Sequence, residues 1–190
     1  MALRESRKQS RRLQGRSRGS HWHPLGKALK PPVHLRPWLL ESGSLTRRLQ
    51  RHFGKINVRV LHQALGQSYN DEGSGRLPLA VVRAVVLSAD DEKPLVVAHS
   101  VLPALPRGAL SVMFNKLGKQ ALGSLLFAHR GFVRCQREWA FLDKRHPLYR
   151  LTRVQLGGRT PDRVWARRAV FSQSRNPEQS VQVTEVFCIG

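Results

Sequence analysis

The chain has 190 residues, of which 41% are hydrophobic, and it carries a formal net charge of +21. This length supports one domain with a buried core, and no apolar stretch reaches the roughly 18 residues of a membrane-spanning helix. The N-terminus has no apolar segment typical of a secretory signal. The two cysteines, Cys135 and Cys188, show no disulfide or metal-binding spacing, so we expect a cytoplasmic protein.

The positive charge is densest at the N-terminus, where residues 1–36 hold ten Lys or Arg against the single acid Glu5. Such a segment offers too little apolar surface to offset its ordering entropy. We therefore predict a basic, disordered tail over residues 1–36 and a folded domain over residues 37–190. The charge favours anionic partners, which include nucleic acid, acidic membrane and small anionic metabolites.

The first predicted element is a short helix. Ser44 is a suitable N-cap, Leu45, Leu49 and Phe53 recur at a spacing of four, and Gly54 ends the pattern. Two further short helices are predicted on either side of a break at Gly118. They are Leu110–Leu117 and Gln120–Ala128.

Most of the remaining chain has the composition of β-strands joined by short turns. The predicted strands are Ile56–Val60, Leu79–Leu87, Leu95–Leu102, Phe132–Leu142, Leu148–Leu156, Arg163–Ser172 and Val181–Ile189. The pattern predicts an α+β fold: a single domain with an antiparallel sheet of about six strands, on which short helices pack and cover an internal ligand pocket.

Glu185 interrupts an apolar strand face. By the period of two, it shares its side of the last strand with Val183 and Phe187. An unpaired carboxylate among apolar side chains costs free energy. Glu185 is therefore expected to be paired, protonated or directed into a polar cavity.

Arg83 is a second charge in an apolar setting, because it is the only polar residue of Leu79–Leu87. One interpretation is a buried structural ion pair, between Arg83 and Glu185 or with other residues. The other is a closed pocket in which Arg83 binds an acid group of a ligand. The shortage of acids relative to arginines in the domain favours the pocket.

Other candidate residues carry weaker signals. Arg137 is predicted on the face of Val133, Cys135, Trp139 and Phe141, as a second anion contact or a side chain that reaches solvent at the sheet edge. Of the adjacent Arg167 and Arg168, only one can face inward in a strand. His21 and His23 have no third ligand nearby, and the phosphate-loop spacing is absent around Lys119. We expect no metal and no nucleotide cofactor.

Four stretches together resemble the bacterial chorismate–pyruvate lyases of the ubiquinone pathway, from about Pro37 to the C-terminus. The resemblance is most specific in the third of them, and the segment between Lys144 and Val164 is longer than in the family. The stretches are WLLESGSLTRRLQ (Trp38–Gln50), VVRAVVLSAD (Val81–Asp90), FNKLGKQALGSLLF (Phe114–Phe127) and VTEVFCIG (Val183–Gly190).

The resemblance implies a site as well as a reaction. It assigns the ligand-binding arginine of the family to Arg83 and its acidic residue to Glu185, with backbone contacts at Leu45 and Leu122. Leu45 departs from the methionine common in the family. The implied reaction eliminates pyruvate from chorismate to give 4-hydroxybenzoate, the first committed step of ubiquinone biosynthesis. It requires no cofactor, and the family implies a monomer.

Two other classes of function compete with a lyase. A non-catalytic domain that senses small anions, related to the effector domains of transcription regulators, would have a similar sheet, but residues 1–36 hold no helix-turn-helix pattern. A nucleic-acid-binding protein would suit the charge, but no strand surface combines basic and aromatic residues in the manner of RNA-binding sheets. We therefore expect no obligate nucleic-acid partner.

Overall fold

The computed structural model describes residues 21–25, 31–72 and 79–189, and the strands of these residues form one antiparallel sheet. The strands are β1 (His23–Pro24), β2 (Asn57–Gly66), β3 (Ala80–Ser88), β4 (Pro94–Pro103), β5 (Phe132–Asp143), β6 (Arg163–Gln173) and β7 (Asn176–Phe187). Their order in the sheet is β1-β5-β6-β7-β4-β3-β2.

Short helices cover both faces of the sheet. They are α1 (Arg36–Leu39), α2 (Leu45–Phe53), α3 (Ala109–Asn115), α4 (Leu122–Ala128) and α5 (Pro147–Gln155). The first four pack on one face and α5 packs on the other. This confirms the predicted α+β class and antiparallel sheet. In the described part of the chain, no helix is long and apolar enough to cross a membrane.

Helix α2 begins and ends where the sequence predicts. The Ser44 hydroxyl accepts a hydrogen bond from the backbone N–H of Arg47 at 3.3 Å, which satisfies one of the free amides at the helix start. Gly54 ends the helix with a φ of +78°, a conformation that glycine adopts without a steric penalty. Leu45 and Leu49 are both buried.

The predicted strand Leu148–Leu156 is wrong, because this segment forms helix α5. Pro147 occupies the first turn, and the His146 side chain accepts a hydrogen bond from the Leu148 backbone N–H at 3.1 Å. Leu148 and Thr152 lie one helical turn apart and are both buried. The long segment between β5 and β6 thus supplies the helix that covers the second face.

The face of the sheet that helices α1 to α4 cover carries two apolar clusters. Four adjacent strands each place one polar residue between the clusters. In the order β3, β4, β7 and β6, these residues are Arg83, Ser100, Glu185 and Arg167. We call them the polar row. It crosses the middle of the sheet under helices α2 and α4, and both charged residues predicted from the sequence belong to it.

The division into a tail of residues 1–36 and a folded domain stays a prediction, although several described residues before residue 37 pack on the domain. His23 pairs in the sheet with Trp139, and their rings stack at 4.9 Å. The indole N–H of Trp22 donates to Asp71 at 2.8 Å, and Leu35 is 5% exposed. These contacts join the described residues of this segment to the domain. Residues 1–20 and 26–30 lie outside the described part of the chain.

Two truncations test whether these contacts stabilise the domain. Removal of residues 1–36 deletes strand β1, the Trp22–Asp71 hydrogen bond and the buried Leu35 side chain, so we expect it to lower the free energy of unfolding by about 2 kcal/mol or more. Removal of residues 1–20 leaves these contacts in place and should preserve the melting temperature. Both are measured by thermal unfolding followed by circular dichroism. Equal melting temperatures for the two truncates would contradict the prediction.

Candidate active site

Arg83 is 3% exposed, and it forms no ion pair with a carboxylate of the described residues. Its guanidinium donates to the backbone oxygens of Gly118 at 2.8 Å and Gln120 at 3.1 Å, and to the Gln63 side chain. Its Nε is buried and has no hydrogen-bond partner among the described residues. Burial lowers the pKa of Arg83 from its usual value. A buried cation whose described partners are all neutral oxygens has the charge and the donors to bind an anion.

Glu185 pairs with Arg167 on the neighbouring strand. Arg167 Nε donates to Glu185 Oε2 at 2.6 Å, and register places the two residues opposite each other. Arg167 also donates to the backbone oxygens of Trp38 and Glu41 at 2.8 and 3.1 Å. The hypothesis of a pair between Arg83 and Glu185 is therefore wrong, while the alternative that Glu185 pairs with another residue is confirmed.

Two narrow cavities meet at Glu185. The first, which we call the Arg83 cavity, is lined by Arg83, Ser100 and Leu122; the second, the arginine cavity, is lined by Leu45, Arg134, Arg137 and Arg167. Thr46, Gly123, Val183 and Glu185 line both. Each cavity has a volume of about 20 Å³, enough for one or two waters. A ring-sized ligand therefore requires the covering segments to move.

Leu45 and Leu122 lie at corresponding places in two helices that cover the site. Each is the first residue of its helix, α2 or α4, and each side chain is buried. Amides of a first turn lack partners within the helix and carry the positive end of its dipole. A backbone contact at such a position does not depend on the side chain, and the ligand contacts expected at Leu45 and Leu122 stay predictions.

Arg134 and Arg137 reach the same face of β5 because the strand has a bulge between Arg134 and Gln136. Strict alternation of side chains along the strand would put them on opposite faces. The prediction that Val133 and Cys135 share a face with Arg137 is wrong for this reason. Arg134 donates to the Ser42 backbone oxygen, and Arg137 to those of Leu40 and Glu41 at 3.2 Å.

Burial and the neighbouring arginines lower the pKa of Arg134 to about 10, and they lower the pKa of Arg137 for the same reasons. Arg168 lies on the opposite face, paired with Glu138 at 2.6 Å. Of the adjacent pair predicted from the sequence, Arg167 is therefore the one that faces the site. The cavities thus combine excess positive charge, one carboxylate and backbone amides. Such a set binds and orients an anion and stabilises charge that develops on it.

Sequence reasoning missed three residues of this site. Gln63 lies opposite Arg83 on β2, Thr46 lines both cavities, and Arg134 joins Arg137 through the bulge. An Arg-x-x-Arg spacing in a strand is a signal for such a bulge only when both side chains are known to face inward. Within residues 21–25, 31–72 and 79–189, no group of three His, Cys, Asp or Glu side chains could hold a metal ion.

The Arg167–Glu185 pair makes a testable contribution to stability. Arg167→Ala leaves the Glu185 carboxylate in a mostly buried position without its partner, so we expect a loss of about 3–5 kcal/mol in the free energy of unfolding. Arg145→Ala is the matched control, because Arg145 pairs with Asp143 at 2.6 Å on the surface, and it should cause little change. Urea unfolding of both variants measures the difference, and similar losses would refute the assignment.

Comparison with known proteins identifies relatives over most of the chain. A "Probable chorismate pyruvate-lyase" of Dechloromonas aromatica is 42% identical over 156 residues, which cover 80% of this chain and 85% of that protein. Another from Nitrosomonas eutropha is 36% identical and covers 87% of this chain and 92% of that protein. Among solved structures, gene product SA0254 of Staphylococcus aureus is 12% identical, with a TM-score of 0.49 over 77% of this chain and 88% of that chain.

A sequence model of the chorismate lyase family matches residues 18–189. The match begins before Trp38 and includes the described residues around strand β1, in agreement with their packing on the sheet. It also spans every residue of the polar row and of the two cavities. The chain therefore belongs to the chorismate lyase family.

Proposed function

We propose that the protein is a chorismate pyruvate-lyase, which converts chorismate to 4-hydroxybenzoate and pyruvate. Membership of the family supports this function. The observation in the structure that carries it is Arg83, a 3% exposed cation whose Nε has no hydrogen-bond partner among the described residues and which lines one cavity with Glu185. Chorismate is a dianion, with one carboxylate on the ring and one on the enolpyruvyl ether.

The reaction breaks one carbon–oxygen bond and one carbon–hydrogen bond. The ether oxygen leaves the ring with the enolpyruvyl group, and the adjacent ring carbon, which bears the hydroxyl, loses its hydrogen as a proton. The electrons of that carbon–hydrogen bond complete the aromatic ring. The enolpyruvyl group takes up a proton and becomes pyruvate. Because aromatisation drives the elimination, the protein needs mainly to position the substrate and stabilise its charge.

Arg83 is proposed to bind the ring carboxylate, assisted by the backbone amides at Leu45 and Leu122. A guanidinium and a carboxylate match in bidentate geometry. The amides stand at the first turns of α2 and α4, where the helix dipole also favours an anion. The carboxylate would then take the donors that now bind the oxygens of Gly118 and Gln120.

Glu185 is proposed to bind the ring hydroxyl, which lies para to the ring carboxylate. Its Oε2 is occupied by Arg167, whereas Oε1 accepts no hydrogen bond from the described residues. The free oxygen can therefore accept from the hydroxyl and assist removal of the proton on the same carbon. Arg167 acts as a positioning residue, because it fixes the carboxylate and is itself fixed by the backbone of α1.

The cellular setting follows from the same proposal. We propose that the product enters ubiquinone biosynthesis as its first committed intermediate, that the protein acts as a cytoplasmic monomer, and that it uses no cofactor. Its two cysteines are free, and burial raises the pKa of the Cys188 thiol to about 12. Free cysteines are consistent with a reducing compartment, and the raised pKa means that Cys188 is not an activated thiolate.

A direct assay tests the function. We expect the purified full chain, with chorismate and a metal chelator, to form 4-hydroxybenzoate and pyruvate in equal amounts, measured by chromatography and by a lactate dehydrogenase coupled assay. Absence of both products would refute the lyase. If the protein then binds 4-hydroxybenzoate without turnover, the anion-sensing domain becomes the better assignment.

Substitution of Arg83 tests the anchor. Arg83→Ala removes the partner of the ring carboxylate, so we expect kcat/KM for chorismate to fall by about a hundredfold or more. Affinity for 4-hydroxybenzoate should also fall, because the product keeps this carboxylate. Arg153→Ala is the matched control, since Arg153 is exposed on α5 on the other side of the sheet. Near-normal turnover of a folded Arg83→Ala variant would contradict the assignment.

A further inference from the structure

We propose that Arg134 and Arg137 form a second carboxylate subsite, which binds the carboxylate of the enolpyruvyl group. The inference rests on the proposed function, because it concerns the second acid group of the same substrate. It assigns a substrate-binding role to two residues of β5, whereas the family resemblance places the ligand only at Arg83, Glu185, Leu45 and Leu122.

The arrangement of the two cavities supports the subsite. Glu185 lines both, with Arg83 in one cavity and the two β5 arginines in the other. In chorismate the hydroxyl is para to the ring carboxylate, and the enolpyruvyl ether is on the next ring carbon to the hydroxyl. With the ring carboxylate at Arg83 and the hydroxyl at Glu185, the enolpyruvyl group therefore lies at the Glu185 end of the ring. The arginine cavity is the space on that side.

The charges of the arginine cavity point to an anion from outside the chain. Four arginines and two glutamates contribute to its lining, although the side chains of Arg168 and Glu138 pair with each other on the opposite face of the sheet. Each glutamate is already paired with one arginine, Glu185 with Arg167 and Glu138 with Arg168. The two remaining arginines are Arg134 and Arg137, and neither forms an ion pair within the described residues.

Both of these arginines are bound by neutral groups instead. They donate to backbone oxygens of residues 40–42, the segment that connects α1 to α2. Their mutual repulsion lowers the pKa of Arg134 in the same direction as its burial. Two like charges that are held together and partly desolvated are stabilised when a carboxylate binds between them.

A purely structural role is the competing explanation, in which the two arginines only hold residues 40–42 over the site. The two roles differ in their effect on the product. 4-Hydroxybenzoate keeps the ring carboxylate and the hydroxyl but lacks the enolpyruvyl carboxylate. Loss of the subsite should therefore weaken the binding of chorismate alone. Displacement of residues 40–42 from the site should weaken the binding of both molecules.

The experiment compares Arg134→Gln and Arg137→Gln with the unmodified chain. We expect KM for chorismate to rise about tenfold or more in each variant, while Kd for 4-hydroxybenzoate, from isothermal titration, changes less than about twofold. Arg134→Lys and Arg137→Lys keep the charge and should recover part of the loss. The matched control for overall charge is Arg153→Gln on α5, and thermal unfolding checks that each variant is folded.

Each other result overturns the subsite. An unchanged KM for chorismate would show that the arginines do not contact the substrate. Equal losses of affinity for chorismate and 4-hydroxybenzoate would show that the arginines only hold residues 40–42 over the site. If a Gln variant does not fold, its Lys variant decides by the same two measurements. An unmodified chain without turnover would refute the proposed function itself, and the subsite with it.

Discussion

The structure depends on the burial of charge between two apolar clusters on one face of the sheet. Four adjacent strands place Arg83, Ser100, Glu185 and Arg167 there, beneath the helices. Buried charges cost free energy unless they are paired and hydrogen-bonded. One ion pair, Arg167–Glu185, meets only part of this requirement. Backbone oxygens of the covering segments meet most of the rest, so the cover is attached to the sheet by charge–dipole contacts as well as by apolar packing.

If Arg83 binds the ligand as proposed, this attachment couples ligand binding to the position of the covering segments. The oxygens of Gly118 and Gln120 use the same guanidinium that an incoming carboxylate requires. Gly118 lies at the turn between α3 and α4 with a φ of +46°, so the turn has a residue that tolerates unusual backbone angles. A ligand that binds Arg83 therefore competes with the turn that closes the site. The segment FNKLGKQALGSLLF, which carries the most specific part of the family resemblance, contains the end of α3, the turn and most of α4. It includes both the Gly118 and Gln120 oxygens and the Leu122 amide.

The sequence predicted those features that depend on periodicity within one element. Arg83 and Glu185 stood out because each interrupts an apolar strand face, and helix α2 was predicted because its cap, spacing and terminator agree. Alternation failed at β5, where the bulge near Arg134 reverses the faces, and at α5, whose apolar residues also fit a strand. Neither Gln63 nor the Trp22–Asp71 contact was predictable, because both depend on which strands and loops become neighbours.

The ratio of acids to arginines explains why backbone oxygens, and not carboxylates, hold most arginines of the site. A carboxylate for every arginine would neutralise the cavities and leave nothing for a dianion to bind. An arginine without any partner would destabilise the fold. Backbone oxygens are an intermediate solution, because they accept hydrogen bonds from some of the donors of Arg83, Arg134 and Arg137 without cancelling their charge. The site therefore keeps its positive potential and remains folded, with Glu185 lining both the cavity of Arg83 and the cavity of Arg134 and Arg137.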